Sequence, residues 1–182
     1  MQHVIKCWLA ILCLLPLVSW AGDNFPTQHI FTGNTFILNG KGVRTKAIFS
    51  LYTAGLYVQE KSSDADALLA ADKPLALRME ITSGMITSEK MATAVREGFQ
   101  KSSNDPALQA RIEQLITVFK EAIKQGDVYD FVYKPSELLI IKNGKPAASI
   151  PGNDFKQAFF GIWLGANPVQ ADLKKALLGQ VE

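Results

Sequence analysis

The sequence predicts an antiparallel α+β fold, and three observations carry that expectation. Leu75, Leu77, Met79 and Ile81 alternate with Ala76, Arg78, Glu80 and Thr82, the period-two pattern of a strand with one apolar face. Asn143-Gly144 stands between two short strand-like runs, as in a tight hairpin turn. Strands, helices, strands and helices follow one another without the regular strand and helix alternation that builds a parallel sheet.

The chain opens with one firm charge at Lys6, an apolar run from Cys7 to Val18, and Ser19-Trp20-Ala21. Small residues at the two positions read by a signal peptidase make residues 1–21 a secretory signal peptide, cleaved near Ala21. The run is short for a membrane span, and Cys13 lacks the small residues before it that lipid attachment requires. The expected product is a periplasmic or secreted domain over residues 22–182, a size that buries a core without staples. Both cysteines, Cys7 and Cys13, fall in the leader, so disulfides, thiolate catalysis and Cys-ligated metals are excluded from the mature chain.

The mature elements follow in order. Asp23 to Gly33 is polar and reads as an entry segment leading to a short strand at Thr35 to Leu38. Asn39-Gly40-Lys41-Gly42 reads as a tight turn into one long strand through Val58, with Gly55 as a bulge or a close backbone approach. Asp64 or Asp66 caps a short helix over Ala65 to Ala71, and Pro74 starts the alternating strand that ends at Thr82. Thr87 is a fitting N-cap for a helix to about Ser102, with Glu89 in its first turn and Met91, Ala94, Val95 and Phe99 at helical spacing.

Asn104-Asp105-Pro106 opens the next helix, whose stripe of Leu108, Ile112, Leu115, Ile116, Phe119 and Ile123 demands burial, and Gly126 ends it. Val128 to Tyr133 and Leu138 to Lys142 read as strands, and the second turns into Ala147 to Ile150. Phe155 to Trp163 is an apolar helix. Asn167-Pro168 opens a last helix that buries Val169, Leu173, Ala176 and Leu177 and closes at Gly179.

Several function classes fall away. Losing Lys6 takes the net charge from +2 to about +1, and no basic run interleaved with aromatics exists, so no nucleic-acid partner is expected. One mature histidine, His29, in a polar segment fits a surface side chain better than a catalytic base, and no metal or cofactor is expected. Gly161 and Gly165 follow no strand and carry no phosphate-cradling pattern. No stable membrane span is expected in the mature chain.

Arg44 is the candidate binding group. Its guanidinium keeps its proton at neutral pH, so an inward position requires an anion or several acceptors. An acidic ligand, an ion pair with a carboxylate such as Glu80 or Asp154, and an exposed strand position all satisfy it. Tyr52 lies eight residues on, so along a regular strand both side chains point to one side.

Gly42-Val43-Arg44-Thr45-Lys46, Leu51-Tyr52-Thr53-Ala54-Gly55-Leu56-Tyr57-Val58, Ser88-Glu89-Lys90 and Phe155 through Phe159-Phe160-Gly161-Ile162-Trp163-Leu164-Gly165 lie in fixed order, followed by Pro168 and Leu173-Lys174 to Leu177-Leu178-Gly179. In this order and spacing the mature chain resembles the bacterial chalcone isomerase-like proteins. The resemblance implies an open-faced β-sandwich, a large antiparallel sheet covered on one side by helices with a ligand cleft between them. It covers true isomerases, which close a phenolic oxygen onto an enone, and fatty-acid-binding members without that chemistry.

In the enzymes an arginine matching Arg44 steers the substrate. They carry a threonine where this chain has Tyr52, a tyrosine where it has Thr87 and an asparagine where it has Ala94, and a hydroxyl-bearing residue is replaced by Ile162. Losing several donors at once removes most transition-state stabilisation, which disfavours chalcone isomerisation. The fatty-acid-binding members pair the arginine with a tyrosine that Tyr52 matches. The expected ligand-binding residues are therefore Arg44, Tyr52 and Thr87, holding a small amphipathic carboxylate such as a fatty acid. An intramolecular lyase acting on another enone, and a protein-interaction module without a ligand, are the alternatives.

Overall fold

A computed structural model describes residues 24–180. The expected leader lies outside the described residues. Among them, seven strands form one fully antiparallel sheet in chain order. They are β1 (Gln28–Phe31), β2 (Asn34–Lys46), β3 (Phe49–Val58), β4 (Leu75–Ile81), β5 (Val128–Lys134), β6 (Glu137–Lys142) and β7 (Lys145–Pro151). Helix α1 (Ala65–Ala70) joins β3 to β4, α2 (Ser88–Ser102) and α3 (Gln109–Thr117) join β4 to β5, and α4 (Asn153–Leu164) and α5 (Ala171–Leu177) follow β7. The antiparallel α+β expectation holds, with the main core between one face of the sheet and the helices.

The alternation on β4 places Leu75, Leu77, Met79 and Ile81 in that core. Phe155, Phe159, Phe160 and Trp163 of α4 meet them from the helical side. The opposite face carries a smaller core in which Phe25, Phe31, Phe36, Tyr57, Ala76 and Val132 pack together. Arg78 lies on that outer face, paired with its cross-strand partner Asp130 at 2.7 Å.

Several local expectations are corrected by packing. The entry segment contains strand β1, because Phe31 buries against Phe36 and Tyr57 on the outer face. Its turn is Thr32-Gly33, both at positive φ. His29 is a half-buried strand residue, with Nε2 2.9 Å from Arg78 Nη2. Burial and the Arg78 charge hold its pKa below the ordinary histidine value.

Asn39-Gly40-Lys41-Gly42 is part of a continuous β2 and makes no turn. A Cβ at Gly40 would stand 2.0 Å from the Ala176 carbonyl oxygen, and one at Gly42 would stand 2.8 Å from Ala176 Cβ. These glycines admit α5 against the strand, a demand that looks in sequence like a turn. The reversal comes later, at Ala47-Ile48, with Ala47 at φ +53°. The single long strand expected through Val58 is therefore a hairpin. Gly55 is a close approach, its missing Cβ falling 2.6 Å from the Phe25 ring.

Three helix ends also differ. The chain forms a 3-10 turn at Pro106–Leu108 before α3, and α3 stops at Thr117 instead of running to Gly126. Tighter backbone bonds from Val118 to Leu115, Phe119 to Ile116 and Lys120 to Thr117 replace the α pattern and fold Phe119 onto Tyr129. Helix α5 opens at Ala171 rather than at Pro168, its first backbone bond running from Lys174 N to the Gln170 carbonyl.

Candidate binding cavity

A cavity of about 620 Å³ lies between the inner face of the sheet and the helices. This falls in the usual range of small-molecule sites. Its floor is Leu51 and Tyr52 of β3, Met79 of β4 and Phe131 of β5, and its helical wall is Met91, Ala94, Val95 and Gly98 of α2 with Phe159, Ile162 and Trp163 of α4. Gly98 and Ile162 set how closely those helices meet, because a Cβ at Gly98 would stand 2.9 Å from Ile162 Cγ2. Arg44, Lys46, Lys90 and Lys101 also line the cavity, against two carboxylates, Glu89 and Glu97.

Arg44 reaches the cavity because of the glycines before it. Gly40 pairs with Leu56, Gly42 with Ala54 and Arg44 with Tyr52 across the β2–β3 ladder. Cross-strand partners share a face, so all three β2 residues point inward. Where α5 covers the strand the side chain is hydrogen, and one step beyond the helix it is a guanidinium. Arg44 and Tyr52 thus share a side as expected, but through hairpin pairing and not by alternation along one strand.

The guanidinium is half-buried, and its Nη1 donates to the Thr45 carbonyl and, at 3.2 Å, to Gln170 Oε1. Gln170 also accepts from Thr45 N at 2.9 Å and donates to the Val43 carbonyl at 3.3 Å, acting as a short stand-in strand beside the β2–β3 register shift. Among the described residues Arg44 has no carboxylate partner. Asp154 is bound to Arg111 at 2.8 Å, and Glu80 lies on the opposite face, paired with Thr53.

Tyr52 is buried, and its hydroxyl oxygen accepts from Trp163 Nε1 at 3.0 Å. Burial pushes its pKa up to about 12, against the opposing pull of the Trp163 bond and the Arg44 charge. The hydroxyl therefore keeps its proton at physiological pH, and no described protein group accepts it. A neutral donor and a cation face one apolar hollow.

The structure does not bring Thr87 to the cavity. Its side chain caps α2 by accepting from Lys90 N at 3.2 Å, and Ile86, Glu89 and Lys90 beside it line the wall instead. Ala94 and Ile162, where the resemblance expects polar groups in enzymes, both line it. Two contributors escaped the sequence reading: Gln170, which pins Arg44, and Trp163 as the partner of Tyr52. A buried indole N–H needs an acceptor, which was the available signal for the second. Among the described residues no group of His, Asp or Glu side chains is placed to hold a metal ion, and no helix is long and apolar enough to cross a membrane.

The family model described as chalcone isomerase-like matches residues 18–179. The chain belongs to the chalcone isomerase-like family. A crystal structure of an Arabidopsis thaliana fatty-acid binding protein superposes on this chalcone isomerase-like protein with a TM-score of 0.66, at 16% identity, covering 83% of this chain and 95% of that one. At that identity the likeness shows the shared fold. No curated protein matches the sequence.

Proposed function

We propose that this chalcone isomerase-like protein binds a small amphipathic carboxylate, of the fatty-acid type, without transforming it. One observation carries the proposal: Arg44, unmatched by any described carboxylate, shares the wall of an apolar cavity with a Tyr52 hydroxyl whose proton is unclaimed. A carboxylate head accepts from both, and its chain lies among Met79, Val95, Phe131 and Phe159. Charge-assisted hydrogen bonds contribute about 1.5–3 kcal/mol each and each buried methylene about 0.8 kcal/mol, so the tail dominates affinity and the head sets orientation.

The Arabidopsis protein of the same fold, named for fatty-acid binding, supports this reading. The apolar residues Ala94 and Ile162 in the wall argue against an isomerase, since a developing oxyanion would find fewer donors there. The leader makes the site of action the periplasm or the exterior, after cleavage near Ala21.

The test is mass spectrometry of lipid extracted from the purified mature protein, followed by calorimetric titration of oleate into wild type and Arg44→Ala. Bound fatty acid, and affinity at least roughly tenfold weaker in the variant, are expected. Equal, weak binding by both proteins removes the proposal.

A further inference from the structure

The entrance of the cavity has a surface chemistry that binding a dissolved ligand does not require. Five large hydrophobic side chains are exposed among the described residues, and three of them stand at two places by the cavity: Ile48 and Phe49 at the β2–β3 turn and the start of β3, and Met85 in the loop before α2. Ile48 sits at the tip of the β2–β3 hairpin with 88% of its surface exposed, followed by Phe49 at 50%. Met85 is 40% exposed in the loop before α2, and Phe49 and Met85 themselves line the cavity. Apolar side chains therefore stand both in the cavity wall and at the neighbouring hairpin tip.

Such a patch is costly in water, and a monomer keeps one where something covers it. The cations supply the second half of the argument. Arg44 and Lys46 flank the tip on β2, and Lys90 and Lys101 stand on α2, outnumbering Glu89 and Glu97. An apolar projection beside a cavity lined by more cations than carboxylates complements an anionic bilayer, whose head groups attract Lys and Arg while the tip enters the boundary with the acyl chains.

We infer that the β2–β3 hairpin tip docks this protein on an anionic phospholipid surface, with Ile48 and Phe49 entering the bilayer boundary so that the cavity opens onto lipid. This inference rests on the fatty-acid reading of the same cavity and adds the source or destination of the ligand. A single-tailed acid then passes between bilayer and cavity without its chain crossing water. Desolvating that chain in one step from lipid to protein avoids the hydrophobic cost of solution transfer.

The experiment is sedimentation of the mature protein with vesicles of phosphatidylcholine alone and of phosphatidylcholine containing phosphatidylglycerol. Ile48 is the residue to change, because it is exposed at a turn and is not part of the cavity wall. Wild type should bind the anionic vesicles, release on raising the salt, and bind the neutral ones far less. Ile48→Asp should lose roughly tenfold or more in vesicle affinity, the loss expected from removing one buried aliphatic side chain and adding a like charge. Ile48→Trp should retain binding, with its fluorescence shifting to the blue on contact with vesicles.

Wild type remaining in the supernatant with anionic vesicles, or Ile48→Asp binding them as wild type does, overturns the inference. A concentration-dependent dimer that Ile48→Asp dissolves, without vesicle binding, assigns the patch to a second copy and overturns it too. Oleate titration without vesicles separates the two readings. Equal oleate affinity in wild type and Ile48→Asp is expected, and vesicle binding without oleate binding removes the cavity reading while leaving the docking surface.

Discussion

Replacing Tyr52 by Phe separates the two things its hydroxyl does. The oxygen accepts the Trp163 indole proton at 3.0 Å inside the core, and Tyr52 lines the cavity with no described protein acceptor for its O–H. Removing it leaves a buried donor unpaired, which costs about 1–3 kcal/mol, eased in part because the variant no longer buries a hydroxyl. A loss of about 1–2 kcal/mol is expected, or roughly 2–8 °C in Tm for a domain of this size. The same change deletes one donor to the ligand head group, so oleate affinity should fall roughly tenfold while Arg44 and the tail contacts remain. The assays are thermal unfolding of the free protein and calorimetric titration of oleate. The acid-binding reasoning is refuted if stability drops as expected and oleate binds the variant as tightly as wild type, because the hydroxyl then serves only the indole.

Gly40→Ala should destabilise by about 3 kcal/mol or more, since the new methyl meets backbone at 2.0 Å, whereas Gly144→Ala, at φ +76° with open space around it, should cost only about 1–2 kcal/mol; urea unfolding ranks the two. Lys156 is fully buried and donates to the carbonyls of Leu68, Leu69 and Ala71 at 2.7, 2.8 and 2.7 Å, closing the end of α1. Lys156→Met should lower stability by about 2–4 kcal/mol, because three carbonyls lose a charged donor while an ammonium burial cost is relieved. Burial lowers the Lys156 pKa to about 8 despite Asp72 nearby, so from pH 8 to the ordinary lysine range only the unfolded chain keeps the proton, and the stability of wild type relative to Lys156→Met should rise across that window. At the acid end, burial of Asp127 is outweighed by bonds from Asn143 and Lys124 and by the Lys142 charge, holding its carboxyl below the ordinary value. Its contribution is present above pH about 4 and is lost as pH falls through the depressed pKa, so Asp127→Asn should flatten the acid limb of an unfolding curve followed by circular dichroism.

Periodicity and caps were legible because they are local. The β4 alternation, Asp64 as one of two cap candidates, Thr87 as a cap and the Asn143-Gly144 turn each depend on residues a few positions apart, and the structure has them as read, while of the expected α3 stripe only Ile112, Leu115 and Ile116 lie in the helix. The misreadings share one cause. Glycine at Gly40 and Gly42 answers a steric demand from Ala176, which lies more than a hundred residues away in the chain. Phe31 turned a polar-looking segment into a strand because the outer face offered it Phe36 and Tyr57.

Residue type by itself determined that this chain builds an antiparallel sheet with helices and that Arg44 must find acceptors, since alternation, helical spacing and a permanent charge are properties of short stretches and single side chains. Only tertiary structure decided where that charge points. The β2–β3 hairpin sets Arg44 opposite Tyr52, Gln170 from the far end of the chain pins it at the register shift, and Arg111 removes Asp154 as a competitor. The facing of a side chain depends on strand register and on which distant groups fill the space around it, and neither is written in its own neighbourhood.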